Sequence, residues 1–154
     1  MSEIVRALAE PDFDAALALY RTFGGERPPL SGAQGYAQFM RILEHPGTTI
    51  LGAEVEGEVR AMATLHILPN MTVDGRPYAL IENVVTLKMF ERQGLGRVVM
   101  NEAIARAWAE NAYKIMLLTG RSAGAKGFYE KLGFSGDDKH AMTLRKVPSR
   151  RSDS

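Results

Sequence analysis

The sequence predicts one α/β domain, and three features predict it. The cleanest helical periodicity in the chain, over residues 95–110, lies between two apolar segments of strand character. Upstream of it, two β-rich stretches are separated by only Glu56-Gly57. With 154 residues, 45% of them hydrophobic, the chain can bury one substantial core but hardly two.

In order, a short strand is expected around Ile4–Ala7. Phe13, Ala16, Leu17 and Tyr20 then recur at helical spacing, and Tyr36, Phe39, Met40 and Leu43 mark a second helix. Between them Gly24-Gly25-Glu26-Arg27-Pro28-Pro29 can only be a loop. Thr48–Glu56 and Glu58–Leu68 read as an antiparallel hairpin. A second turn at Asp74-Gly75 leads into Tyr78–Leu87, whose apolar run (Ala79, Leu80, Ile81, Val84, Val85) suggests a strand covered on both faces.

Met100, Ala103, Ile104, Ala107 and Trp108 fall at i, i+3, i+4, i+7 and i+8, the pattern of one buried helical stripe. Arg97, Asn101, Glu102, Arg106 and Glu110 take the other side, with Glu102 and Arg106 spaced for an i,i+4 ion pair. Ile115–Leu118 is a short apolar run read as a buried strand, which completes a βαβ unit. A short helix over Ala123–Lys131 should stop at Gly133, followed by Phe134 and a last strand over Met142–Val147.

Composition removes several functions. There is no cysteine, so disulfides, thiolate metal sites and sulfur nucleophiles are excluded. A net charge of +1 leaves no broad nucleic-acid footprint. No secretory core opens the chain and no stretch is long enough to span a membrane, so a soluble cytoplasmic protein is expected. In that setting the Asn70-Met71-Thr72 sequon carries no glycan. Arg145-Lys146 and Arg150-Arg151, interrupted by Pro148, read as a solvated tail. His45, His66 and His140 show no metal-ligand spacing, and no Gly-x-Ser-x-Gly elbow is present.

Gln93-Gly94-Leu95-Gly96-Arg97 stands at the entrance to the long helix, where free N–H groups and the positive end of the helix dipole suit an anion. The same glycines also serve a plain tight turn. Two phosphate motifs fail here. A P-loop needs Gly-Lys-Ser/Thr, whereas Gly96 precedes Arg97-Val98. A dinucleotide fingerprint needs a third glycine where Val99 stands, and an acid near the end of the next strand, where residues 114–121 contain none.

Glu91-Arg92-Gln93-Gly94-Leu95-Gly96 resembles the pyrophosphate turn of the GNAT superfamily of N-acetyltransferases. The stretch from Ser122 through Ala125, Phe128-Tyr129 and Gly133-Phe134 is similar to that family's Asn-x-x-Ala-x-x-Phe-Tyr-x-x-x-Gly-Phe motif. The likeness covers about residues 78–146 and leans, through Ile81-Glu82-Asn83-Val84-Val85, Tyr113-Lys114-Ile115 and Phe128-Tyr129-Glu130-Lys131, toward the glucosamine-6-phosphate N-acetyltransferase branch. It implies an α/β fold with a mixed sheet of six to seven strands and about four helices, one domain over 1–147, and a tail over 148–154. Glu91 stands where the family has Gln or Arg, with Arg92 and Arg97 left to supply charge; Ser122 stands where it has Asn.

The resemblance also implies roles. Acetyl-CoA is the expected cosubstrate, with no metal. Val84, Val85 and Thr86 would offer backbone N–H groups to the pantetheine and the carbonyl. Arg92, Gln93, Gly94, Leu95, Gly96 and Arg97 would hold the diphosphate, and Ser122 would contact the coenzyme. Glu82, an isolated carboxylate in an apolar strand, is the candidate base, directly or through water, and partial burial would raise its pKa toward that task. An ion pair at a strand edge is the other reading of Glu82. Tyr129 is the candidate acid for the leaving sulfur, since an unperturbed phenol near 10 sits not far above a thiol near 8.5. His66 is the histidine best placed to face an acceptor. Direct attack by a small primary amine in a ternary complex is expected, with a homodimer left open. A non-catalytic acyl-CoA sensor and a protein or peptide amine acceptor are the alternatives, and Phe23–Leu30 and Pro69–Pro77 are where acceptor identity should lie.

Overall fold

Alternation of buried and exposed residues builds the sheet outward from one hairpin. In the computed structural model, which describes residues 2–24, 27–121 and 124–148, strands β1 (Glu3–Ala7), β2 (Thr48–Val55), β3 (Glu58–Leu68), β4 (Tyr78–Thr86) and β5 (Ile115–Met116) lie in sequence order. The first four pair antiparallel and β5 joins β4 in parallel. Glu56 (φ 52°) and Gly57 (φ 81°) are both left-handed, as a two-residue type I′ hairpin requires.

Among the described residues there are four α-helices: α1 (Phe13–Thr22), α2 (Gly32–Glu44), α3 (Leu95–Ala109) and α4 (Lys126–Lys131). The described residues divide into two compact units, with the boundary between Leu117 and Leu118. In the first, Ile50, Met62 and Val85 pack with Ala16 and Leu19 of α1 and Phe39 of α2 on one face of the sheet. Helix α3 packs against β1 to β4, and Leu51, Ala53, Ala63, Leu65 and Ile81 are buried on the other face. Each such side chain removed from water stabilises the fold by about 1.5–3 kcal/mol for the larger ones. Arg6 fastens the first turns to the sheet, its Nε donating to Glu54 at 2.8 Å and its Nη1 to Asp12 at 2.8 Å. That guanidinium holds the Asp12 carboxyl below the usual carboxylate range.

Several expectations are corrected. The sheet has five strands among the described residues, not six to seven. Residues 142–147 form no strand, and Met142 and Leu144 are 90% and 102% exposed, because apolar content alone makes no strand without a partner ladder. The apolar run at 115–118 shrinks to two paired residues, with Ile115 half-buried and Met116 exposed, since pairing to β4 ends at Leu80–Met116. The buried stripe of α3 is Leu95, Val99, Met100, Ala103 and Ala107, whereas Ile104 is half-buried and Trp108 is 52% exposed. A helix lying close on a sheet selects small side chains along its contact line, so the indole is left at the margin.

Asn70 has a structural task. Its Nδ2 donates to the carbonyls of Thr72 at 2.8 Å and Arg76 at 3.1 Å, closing the loop between β3 and β4. Gly47 is equally constrained: φ is +77°, and a Cβ there would stand 2.5 Å from the Ile67 carbonyl oxygen. Gly47→Ala is expected to lower stability by about 2–4 kcal/mol, read as a fall in the urea midpoint at unchanged slope. In the second unit α4 ends as expected, with Gly133 at φ +100°, Gly133 N–H donating to Glu130 O at 2.9 Å and Phe134 N–H to Tyr129 O at 3.1 Å, a Schellman cap.

Candidate active site

The turn before α3 has the form of an anion cradle. Arg92 (φ 62°) and Gly94 (φ 83°) are left-handed, and the first bond of the helix runs from Val98 N–H to Gly94 O at 3.1 Å. Helix geometry therefore leaves the N–H groups of Leu95, Gly96 and Arg97 without intrahelical acceptors. A Cβ on Gly94 would meet nothing within 4 Å, so the space above the turn is open. Leu95 is 3% exposed and anchors the turn in the core, leaving only its backbone for a ligand. Arg92, Gln93 and Arg97 are exposed. The Gln93 side chain is committed to the turn itself, donating to Met89 O at 3.3 Å. Arg60 steadies the approach from β3: its guanidinium lies 4.6 Å from the Phe90 ring centroid and its carbonyl accepts Leu87 N–H at 3.0 Å. Open N–H donors, a missing Cβ and two flanking guanidinium groups fit a diphosphate.

A bulge in β4 opens the second set of donors. Met62 pairs with Val85 and Thr64 with Glu82, so Asn83 and Val84 stand opposite the single residue Ala63. Asn83 takes φ 53°, which asparagine tolerates better than most residues. The extra residue reverses the alternation. Ala79 N–H donates to Lys114 O on the β5 side, whereas Leu87, eight positions on, donates to Arg60 O on the β3 side. Counting back from Leu87, Val84 and Thr86 direct their N–H groups toward the edge of β4 where no described strand pairs beyond Leu80. Val85 is turned the other way: its N–H faces β3 and its side chain is 8% exposed in the core. The bulge also explains why β4 is not the uniformly covered strand its composition suggests, since Glu82 and Asn83 are exposed within it.

Glu82 is thus not partly buried as expected. It shares a cross-strand row with Thr64 and Ile50, and the next row holds Thr48, His66 and Leu80, so all lie on the face that α1 and α2 cover. His66 and Glu82 are diagonal neighbours there. Burial holds the His66 imidazole below its usual 6.5 and nearby His45 adds to this, while Glu82 pulls the other way. Thr64 is 4% exposed, and burial raises the Tyr20 phenol of α1 above its usual value while the neighbouring Thr64 hydroxyl opposes the rise. Thr48 Oγ1 lies 2.9 Å from Nδ1 of both His45 and His66. His45, Thr48 and Tyr20 escaped the sequence reading, because only strand register and the end of α2 bring them beside His66. A separate apolar hollow of about 170 Å³ runs between α1, α2 and Pro29-Leu30.

Tyr129 belongs to the second unit. Its ring packs edge-on against Phe128 and Phe134, with centroids 5.0 and 6.2 Å away. Ser122 lies outside the described residues. Among the described residues no three His, Asp or Glu side chains gather as a metal site. No helix among them is long and apolar enough to cross a membrane.

The sheet, the bulge and the glycine-led helix define an acyltransferase class, and the acetyltransferase (GNAT) family model matches residues 16–134: the chain belongs to that family. A relative named glucosamine 6-phosphate N-acetyltransferase, from Trypanosoma brucei brucei, is 30% identical over 145 residues, covering 90% of this chain and 96% of its own. A solved structure from Agrobacterium tumefaciens str. C58, assigned as an acetyltransferase, is 42% identical with TM-score 0.88 over 93% of this chain and 99% of that one. Glucosamine-6-phosphate N-acetyltransferase from Arabidopsis thaliana, 21% identical, shares the fold at TM-score 0.77 over 96% of this chain and 99% of that one.

Proposed function

We propose that this chain transfers an acetyl group from acetyl-CoA to the primary amine of a small molecule, by direct attack in a ternary complex. The observation that carries this reading is the start of α3, where Gly94 leaves open space over three free N–H groups in a chain of the GNAT family. We read residues 1–147 as one acetyltransferase domain with 148–154 as a tail, which the family match over 16–134 supports. A phosphorylated amino sugar is the acceptor class proposed first, because the Trypanosoma relative carries that name over nearly its whole length.

When bound, acetyl-CoA would supply an acetyl thioester. The N–H groups of residues 95–97, with Arg92 and Arg97, would hold its diphosphate, and Ser122 would add a contact. Val84 and Thr86 would present N–H groups along the open edge of β4, where donors fixed in advance stabilise a developing oxyanion by a few kcal/mol. Glu82 would take the ammonium proton, directly or through water. The Tyr129 hydroxyl would give its proton to the departing sulfur, a role that rests on the sequence motif.

Thiol release is the direct test, measured over glucosamine 6-phosphate, glucosamine, polyamines, amino acids and peptides. Turnover led by the phosphorylated sugar supports the reading. Turnover led by a peptide would move the acceptor to protein, and a thermal shift with acetyl-CoA but no turnover on any amine would make the chain a sensor. Gly94→Ala should lower stability by only about 1–2 kcal/mol yet weaken acetyl-CoA binding about tenfold or more, as followed by calorimetry. Unchanged affinity would remove this turn from the binding site.

A further inference from the structure

A hydroxyl carries one proton, and Thr48 Oγ1 has an imidazole Nδ1 at 2.9 Å on each side. When both rings are neutral, the single hydroxyl proton can serve only one Nδ1, so at least one ring must carry its proton on Nδ1 and donate to the oxygen. With the other Nδ1 accepting from the hydroxyl, the three groups form one continuous donor chain. The three groups also run from inside to outside: His66 and Thr48 are half-buried, and His45 is exposed at the end of α2. Backbone bonds hold this arrangement, with Thr48 N–H donating to His45 O at 3.1 Å and Ile67 N–H to Gly47 O at 2.7 Å. At the inner end His66 is the diagonal neighbour of Glu82.

We propose that Thr48 joins His66 to His45 as a proton relay that carries the proton lost by the acceptor ammonium near Glu82 out to solvent. The relay rests on the acetyl-transfer reading above. One proton enters at His66 Nε2, and the Nδ1 proton of His66 moves to the Thr48 oxygen. The hydroxyl proton moves to His45 Nδ1, and the Nε2 proton of His45 leaves to water. One proton enters and one leaves, while the amine nitrogen exchanges its proton for the new bond to the acetyl carbon. Once product has left and the inner end meets water, the reverse shift through Thr48 restores the starting tautomers, with one proton taken up at His45 Nε2 and one lost at His66 Nε2, so the relay holds the proton away from the amine during transfer. His66 and His45 are positioning residues in this scheme, since neither is shown against the reacting atoms.

Two titratable groups bear on His66: Glu82 from β4 and His45 from the end of α2. Because His45 adds to the depression of His66, His45→Gln should move the His66 titration to higher pH; Glu82→Gln should move it lower.

The test joins a structural readout to a kinetic one. Nitrogen-15 NMR of the histidine side chains should find opposite Nδ1 protonation on His45 and His66 at neutral pH. That complementarity should persist in Thr48→Ser and disappear in Thr48→Val, which keeps the β-branched shape and drops the hydroxyl. Over the amines of the thiol-release panel, Thr48→Val and His45→Gln should lower kcat about tenfold on the acid side with little change in KM, and Thr48→Ser should restore it. Matching tautomers in the wild-type protein would overturn the relay, as would a Thr48→Val pH profile that superimposes on wild type. If the tautomers are complementary but no amine is acetylated, acetyl transfer itself fails, and the relay's catalytic role falls with it.

Discussion

Tyr129→Phe is expected to lower kcat by about 10²-fold while acetyl-CoA binds with unchanged affinity. The variant keeps the ring that packs edge-on between Phe128 and Phe134, and it keeps the carbonyl that accepts Phe134 N–H in the cap of α4. Only the hydroxyl is lost, and the ring packing and the cap of α4 are kept. Single-turnover kinetics beside calorimetric acetyl-CoA affinity separate the two effects. Turnover equal to wild type would take Tyr129 out of the mechanism and leave it a packing residue.

Glu82→Gln is expected to lower kcat/KM by about 10²-fold on the acid side, with the deficit shrinking as the pH approaches the amine's own pKa. A primary amine near neutral pH is mostly ammonium, with a reference value near 10.4 for lysine, and it cannot attack until its proton is taken. Raising the pH supplies free amine without help. The loss should therefore follow pH in a way that a merely structural carboxylate would not. Glu82 is exposed on β4, and glutamine keeps its size, so stability should barely change. A pH-independent deficit, or none, would make Glu82 structural and move the duty of base to water or to His66.

Much of this protein could be read without coordinates, and the places where reading failed share a cause. The hairpin over 48–68 and the helix from residue 95 were legible because period-2 and period-3.6 patterns are local properties. Gly94 was legible because a backbone that must turn left-handed under an open space calls for a residue without Cβ. The strand at 142–147 and the buried run at 115–118 were overcalled, because strand formation depends on a partner edge that no window of sequence contains. Trp108 was placed inside for a similar reason: its periodicity is right to within one helical step, but contact with the sheet follows Val99, Ala103 and Ala107 instead.

The site divides in the same way. Glu82, Tyr129 and the turn at 92–97 could be named from motif, yet motif could not see that Glu82 stands exposed, or that Asn83 bulges and turns Val84 and Thr86 to the open edge while Val85 faces inward. Nor could it bring His45 and Thr48 to His66, since residues 48 and 66 meet only through the register of β2 on β3.

The sequence by itself determined the family, the elements and the chemistry each side chain can offer, because these follow from local pattern and residue type. Only the tertiary structure decided which donors are free, which carboxylate is in water, and which two histidines share one hydroxyl proton. Those are properties of pairing and register: the single inserted residue in β4 turns the donors of Val84 and Thr86 outward, and the register of β2 on β3 sets Thr48 beside His66.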